Sequence, residues 1–198
     1  MIQRIVAIVE GKGEVQAVPV LLRRITQELG QYPEILPPLR IPKTRLMKEG
    51  ELERAVRAAG AIGGPGAAIL VLVDADEDCP GTLGPTLLSR ACRARPDRQI
   101  RVVLAKTEFE AWFLAAAESL RGKRGLRGDL QPPKNPEAVS GAKEWLRRNA
   151  DTGFSYRPTL DQPALTQLFS LDQARRAPSF DKLWRDILSL FDDVQVAP

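Results

Sequence analysis

Histidine is absent from this 198-residue sequence, and cysteine occurs only twice. Cys79 and Cys92 are too few for a disulfide framework, and without histidine they do not suggest a zinc site. We therefore expect a protein of a reducing compartment, the cytoplasm. Long apolar runs are also missing, since none approaches the ~18 residues of a membrane-spanning helix. The opening stretch IQRIVAIVE predicts a strand rather than a signal peptide.

The sequence also has no large net charge of either sign. Lysine and arginine number 29 against 25 acids, which gives a net charge of +4. This mild excess permits nucleic-acid binding without requiring it. With 43% hydrophobic and 27% charged residues, the composition is typical of a soluble globular protein. The length allows one domain with a sizeable core and a small appendage, and it excludes two large domains.

Short apolar runs rich in β-branched residues recur along the first part of the chain and predict buried strands. They lie at residues 2–9, 67–73 and 99–105, and a proline-rich stretch at 33–43 has the composition of a short edge strand. Helical spacing of apolar residues fills the intervals, at 14–29, 51–59, 86–95 and 108–120. This alternation predicts an α/β fold, a Rossmann-like parallel sheet of about four strands flanked by helices.

The sequence beyond residue 121 contains no further strand pattern. Helical spacing returns near residues 137–148, 163–175 and 180–191. We therefore expect residues 1–121 to form the α/β domain, and residues 122–198 to form a helical extension packed on the same core.

Acidic residues follow two of the predicted strands directly. Glu10 ends the first strand, and the stretch ILVLVDADED places Asp74 and Asp76 at the end of another. Ligands of open parallel sheets bind at the carboxyl ends of strands, so these acids converge if the two strands are neighbours. Oxygen ligands without histidine suit Mg²⁺ or Mn²⁺. The alternative is an acidic turn whose aspartates cap a helix or face water.

Several short motifs, in this order and spacing, resemble a known family. They are VEGKGE at 9–14, VLVDADED at 71–78, KTEFEAWFLA at 106–115, Pro133-Lys134, and the tail from YRPTLDQ to RAPSF. Together they are similar to the toprim-related domain of unknown function 4276, and they cover most of the chain. A glutamate after the first strand and D-x-D after a later strand are the toprim signature, found in topoisomerases, primases and OLD-type nucleases. The resemblance thus implies a toprim-like fold.

The resemblance also implies roles for the acids. Glu10 matches the toprim glutamate, a general acid/base or metal ligand, while Asp74 and Asp76 match the metal-binding pair. Glu14 resembles the second acid of the nuclease-type loop. Glu110 resembles an acid near a second metal ion, although Glu108 could serve instead. One or two Mg²⁺ or Mn²⁺ ions are therefore implied.

Basic residues are the candidates for contacts with phosphate. Lys12, Lys106 and Lys134 could offset the charge of a transition state, and Lys134 is favoured as a catalytic residue by its Pro-Lys match to the family. The loop RGKRGLRG could track a nucleic-acid backbone, as could two later arginines. These residues are Arg121, Lys123, Arg124, Arg127, Arg175 and Arg176. For each, a solvated side chain is the alternative.

These features predict a metal-dependent nuclease acting on DNA or RNA. Neither tyrosine has the context of a topoisomerase nucleophile, and no cysteine cluster supplies the zinc module of a primase. Proteins of this kind are often encoded beside an AAA-type or OLD-like ATPase in genome-defence settings, so the resemblance implies such a partner. A homo-oligomer is left open. One alternative is a non-catalytic subunit that binds nucleic acid or regulates a partner. The other is an acidic α/β phosphatase that uses Asp74 as its nucleophile.

Overall fold

The computed structural model describes residues 2–153 and 155–192 of the chain. Its strands are β1 (Arg4–Val9), β2 (Glu34–Ile35), β3 (Leu39–Arg40), β4 (Ala68–Asp74) and β5 (Ile100–Ala105). They form one sheet in the order β2, β1, β4, β5, and β3 also pairs with β1. Every pairing is parallel, which confirms the predicted α/β class with its parallel, Rossmann-like sheet.

The helices cover both faces of this sheet. They are α1 (Glu14–Glu28), α2 (Lys43–Leu46), α3 (Glu51–Gly63), α4 (Pro80–Ala94), α5 (Ala111–Ala115), α6 (Ala142–Arg148), α7 (Pro158–Leu168), α8 (Leu171–Ala174) and α9 (Pro178–Asp192), with 3₁₀ turns at Ala117–Leu120 and Pro136–Ala138. None of the helices in the described residues is both long and apolar enough to cross a membrane.

Two predicted helices differ in where they begin, since the one expected near 137–148 begins at Ala142 and the one expected over 86–95 begins at Pro80. Two others are interrupted. The helix expected over 108–120 is reduced to α5 and a 3₁₀ turn, because Thr107 adopts a φ of 65° and residues 108–110 form turns before α5 begins. The helix expected over 163–175 is divided into α7 and α8. Phe169 is extended at the end of α7, and the Ser170 hydroxyl then caps α8 by accepting a hydrogen bond from the Gln173 N–H.

The core has two parts because strand side chains alternate between the faces of the sheet. In β1, Ile5, Ala7 and Val9 pack on one face, while Val6 and Ile8 pack on the other. The first face also buries side chains from the part of the chain after residue 121. Among them are Leu126, Leu130, Leu146, Tyr156, Leu165, Phe169, Phe180, Leu183, Ile187 and Leu190. The described part of the extension thus shares the core of the sheet.

Candidate metal centre

Three carboxylates meet at the carboxyl edge of the two central strands. Glu10 directly follows β1, Asp74 is the last residue of β4, and Glu14 is the first residue of α1. Because β1 and β4 are parallel neighbours, their carboxyl ends reach the same edge. One carboxylate oxygen from each residue lies within 4.8 Å of the others. They line a crevice of about 560 Å³.

Backbone N–H groups fix the orientation of all three side chains. Asp74 N–H donates to Glu10 Oε1 at 2.9 Å, and Phe109 N–H donates to Asp74 Oδ1 at 2.8 Å. The N–H groups of Glu10 and Gly11 both donate to Glu14 Oε2, each at 3.1 Å. Within the described residues, the other oxygens of Glu14 and Asp74 accept no hydrogen bond, which leaves them for a ligand in the crevice.

The stretch Glu10-Gly11-Lys12-Gly13-Glu14 needs its glycines because it is tightly packed. A Cβ on Gly11 would lie 2.8 Å from Glu14 Oε1. A Cβ on Gly13 would lie 2.0 Å from Gln162 Oε1 and 2.7 Å from the Pro158 carbonyl oxygen. Real Cβ contacts are longer, so only glycine lets this loop pass beneath α7 while holding Glu10 and Glu14 together.

The electrostatics of the three acids favour a proton or a cation. Burial raises the pKa of Glu14 from 4.5 to about 7, and the neighbouring charges of Glu10 and Glu110 add to the effect. Burial is also the main cause that raises the pKa of Glu10 and of Asp74, with further contributions from nearby carboxylates. Three oxygen donors that repel one another fit a hard divalent cation such as Mg²⁺ or Mn²⁺.

Glu110 lies in the same crevice with a different set of partners. Its Oε1 accepts a hydrogen bond from the Tyr156 hydroxyl at 2.9 Å, and its Oε2 lies 3.0 Å from Lys143 Nζ. Lys143 also pairs with Glu108 Oε2 at 3.3 Å. Burial alone would lower the pKa of Lys143, but the charges of Glu110 and Glu108 raise that pKa above its ordinary value, so the charged ammonium form is favoured.

Asp76 lies against Lys43. Lys43 Nζ donates to the Ala75 carbonyl oxygen at 2.7 Å and to Asp76 Oδ2 at 2.8 Å, and it pairs with Asp78 Oδ2 at 3.0 Å. Asp76 lines the crevice but does not join the group of three acids that lie within 4.8 Å. Its φ of 51° turns the chain away from the direction of β4.

The predicted lysines are divided between two regions. Lys12 lines the crevice, but Lys106 and Lys134 do not. Lys106 lines a second groove, between α4 and α9. Lys134 is exposed in a loop. Three residues later, the Glu137 carbonyl oxygen accepts a hydrogen bond from the Thr107 hydroxyl, and the Glu137 carboxylate accepts one from Ser179 N–H. Lys134, which the sequence predicted as a catalytic residue, therefore does not line the crevice of the three carboxylates.

Most of the residues predicted to contact nucleic acid already form hydrogen bonds or ion pairs within the protein. Arg121 donates to the Leu130 carbonyl oxygen, Arg124 pairs with Asp161, and Arg127 pairs with Asp129. Arg175 pairs with Asp181 and stacks on Trp184, and Arg176 pairs with Glu118. Lys123 is exposed and forms no ion pair with the described residues. None of these six side chains lines the crevice.

Sequence reasoning missed Lys43, Lys143 and Gln162, and it gave Tyr156 no role. Only the motif resemblance pointed to this part of the chain, since YRPTLDQ contains both Tyr156 and Gln162. Nothing local distinguishes Lys43 or Lys143 from a solvated lysine.

Comparison with protein families gives one match. The family described as Domain of unknown function (DUF4276) matches residues 9–188. The chain belongs to the DUF4276 family. The match spans all three carboxylates and the three lysines that line the crevice, so the candidate centre lies within the DUF4276 region. Comparison with curated proteins and with solved structures found no significant match.

Proposed function

We propose that this DUF4276 protein cleaves phosphodiester bonds in DNA or RNA with the help of Mg²⁺ or Mn²⁺. One observation carries the proposal: oxygens of Glu10, Glu14 and Asp74 lie within 4.8 Å of one another, and backbone N–H groups orient the three side chains. Such an anchored set of hard donors is suited to a divalent cation that acts on phosphate.

The residues of the crevice supply complementary functions. A divalent ion, when bound, lowers the pKa of an attacking water and stabilises charge on the phosphate. Glu10, Glu14 and Asp74 would hold it. Lys12, Lys43 and Lys143 line the same crevice and would offset the negative charge of a phosphodiester. Of these, Lys143 replaces Lys134 as our candidate for stabilising the transition state.

The family resemblance adds two further proposals, and the cysteines add a third. The glutamate after β1 and the D-x-D that begins with the last residue of β4 support a toprim assignment of the OLD-nuclease type. A partner ATPase of the AAA or OLD-like class, in genome defence or DNA processing, is proposed on the same resemblance. The free thiols of Cys79 and Cys92 agree with a reducing cytoplasm.

Cleavage assays test the proposal directly. The full chain is incubated with plasmid, single-stranded DNA and RNA in magnesium or manganese, beside Asp74→Asn and the control Asp172→Asn. Asp172 is exposed on α8, outside the crevice. We expect metal-dependent cleavage by the parent and the control, and loss of at least about a hundredfold in Asp74→Asn.

The alternatives give different results in the same assays. Binding of nucleic acid without cleavage, under every metal condition, would favour a non-catalytic subunit. Release of phosphate from small esters, without cleavage of nucleic acid, would favour a phosphatase with Asp74 as its nucleophile. Either result would contradict the nuclease proposal.

A further inference from the structure

We infer that the crevice holds one divalent cation, on Glu10, Glu14 and Asp74, and that Lys43 and Lys143 take the places a second cation would need. This inference rests on the metal site of the proposed function. It removes Asp76 and Glu110 from the ligands implied by family resemblance, and it reduces the expected one or two ions to one.

The first step is the difference in pairing among the acids of the crevice. Asp76 and Glu110 each lie within 3.0 Å of a lysine ammonium, at 2.8 Å and 3.0 Å respectively. Glu10, Glu14 and Asp74 form no ion pair with any residue in 2–153 or 155–192. Negative charge without a direct counter-ion is thus confined to one cluster of three.

The second step is that the ammonium groups of both lysines already lie between carboxylates. Lys43 Nζ has three acceptors, the Ala75 carbonyl and the carboxylates of Asp76 and Asp78, which match its three N–H donors. Lys143 forms ion pairs with Glu108 and with Glu110 Oε2, and Glu110 Oε1 accepts a hydrogen bond from the Tyr156 hydroxyl. A second cation at Asp76 or Glu110 would have to displace an ammonium, or lie beside it against charge repulsion.

The third step concerns what the lysines do beside a single cation. Lys43 reaches the crevice from α2 and Lys143 from α6, so positive charge flanks the three acids from two separate elements. Each ammonium offsets the charge of the acids beside it, Asp76 and Asp78 for Lys43 and Glu108 and Glu110 for Lys143, so these acids need no second metal ion.

Manganese binding tests the inference without reference to cleavage. The metal-free full chain is titrated with Mn²⁺ by isothermal calorimetry, and bound Mn²⁺ is followed by electron paramagnetic resonance. We expect one Mn²⁺ per chain, with a spectrum that shows no spin coupling to a second Mn²⁺. Asp76→Asn and Glu110→Gln should each retain that ion, whereas Glu14→Gln should weaken its binding by at least about tenfold.

Lysine variants test the second half of the inference. Lys43→Met and Lys143→Met keep an unbranched side chain, one atom shorter than lysine, and remove the charge, and circular dichroism checks that both fold. Each should admit a second, weaker Mn²⁺ beside the acids that it uncovers. A stoichiometry that stays at one in both variants would contradict the role given to the lysines.

Other outcomes separate this inference from the proposed function. Two coupled Mn²⁺ ions in the parent, one of them lost in Asp76→Asn or Glu110→Gln, would overturn the inference even if nucleic acid is cleaved. One bound Mn²⁺ without any cleavage would support the inference and contradict the nuclease proposal. Failure to bind Mn²⁺ at all would overturn the inference whatever the cleavage assays give.

Discussion

The acids of the stretch VDADED meet three different environments. Asp74 joins Glu10 and Glu14, while Asp76 and Asp78 share the ammonium of Lys43. Glu77 between them is exposed. At the scale of single residues, then, part of this acidic stretch is neutralised within the protein, and only Asp74 contributes to the unpaired cluster.

Glu14 gives a prediction about pH. Its folded-state pKa of about 7 lies above the ordinary 4.5, so the folded protein binds this proton more tightly than the unfolded chain. The stability it contributes is therefore complete below about pH 4.5 and is lost as the pH rises to about 7, by about 3 kcal/mol in total. Glu10 and Asp74 shift in the same direction.

Glu14→Gln removes this charge and should remove its share of the pH dependence. In chelator, we expect the variant to unfold at higher urea than the parent at about pH 8, and at similar urea at about pH 4.5. Glu28→Gln, on the exposed face of α1, is the matched control. A parent and a Glu14→Gln variant with the same free energy of unfolding at both pH values would contradict the assigned burial cost.

At the scale of elements, the loop between β1 and α1 determines the geometry of the centre. It passes so close to the start of α7 that Gly13 has no room for a methyl group. Two acids of the candidate centre lie on either side of Gly13, since Glu10 precedes it and Glu14 follows it directly. The two carboxylates thus depend on the packing of α7 as well as on their own strand and helix.

Gly13→Ala should therefore perturb stability and metal binding together. The new Cβ must displace the backbone at Pro158, and overpacking of this kind costs about 1–3 kcal/mol. We expect lower unfolding midpoints and weaker Mn²⁺ binding, measured by urea denaturation and calorimetry. Gly128→Ala is the control, because a Cβ there has no atom within 4 Å. Equal effects of the two substitutions would show that the close approach of α7 is unimportant.

At the scale of the whole molecule, the crevice has walls from distant parts of the sequence. Glu10 and Asp74 come from the sheet, Lys43 from α2, and Lys143 and Gln162 from the helices after residue 121. The same helices cover the hydrophobic face that contains β1 and α1. Folding of the core and completion of the crevice therefore depend on the same packing.

A chain ending at residue 121 should accordingly fail to form a stable domain. It would expose the face of Trp112 and Phe113 that packs against Phe169 and Phe180. We expect non-cooperative unfolding, strong binding of a hydrophobic dye and no Mn²⁺ site, measured beside the full chain. A fragment that unfolds cooperatively and still binds Mn²⁺ would mean that the extension is dispensable for both core and centre.

Local patterns in the sequence were sufficient for much of the fold. Apolar runs predicted β1, β4 and β5 within about two residues, because a buried parallel strand needs continuous apolar side chains. They also placed Glu10 and Asp74 at one sheet edge, since that follows from strand ends and parallel order. The prediction of one long helix over 108–120 was wrong. The apolar residues of this stretch are buried on several sides, and such burial occurs in turns as well as in helices.

The sequence by itself thus determined the class of the fold and the position of the two strand-end acids. Tertiary structure alone decided which charges are paired. Lys143 pairs with Glu110 and Lys43 pairs with Asp76, and the two partners are 33 residues apart in sequence in each case. Such pairs depend on how separate elements pack rather than on any local spacing. Coulombic interactions act through space, so a lysine without a local pattern can set the charge of an acid that belongs to a motif.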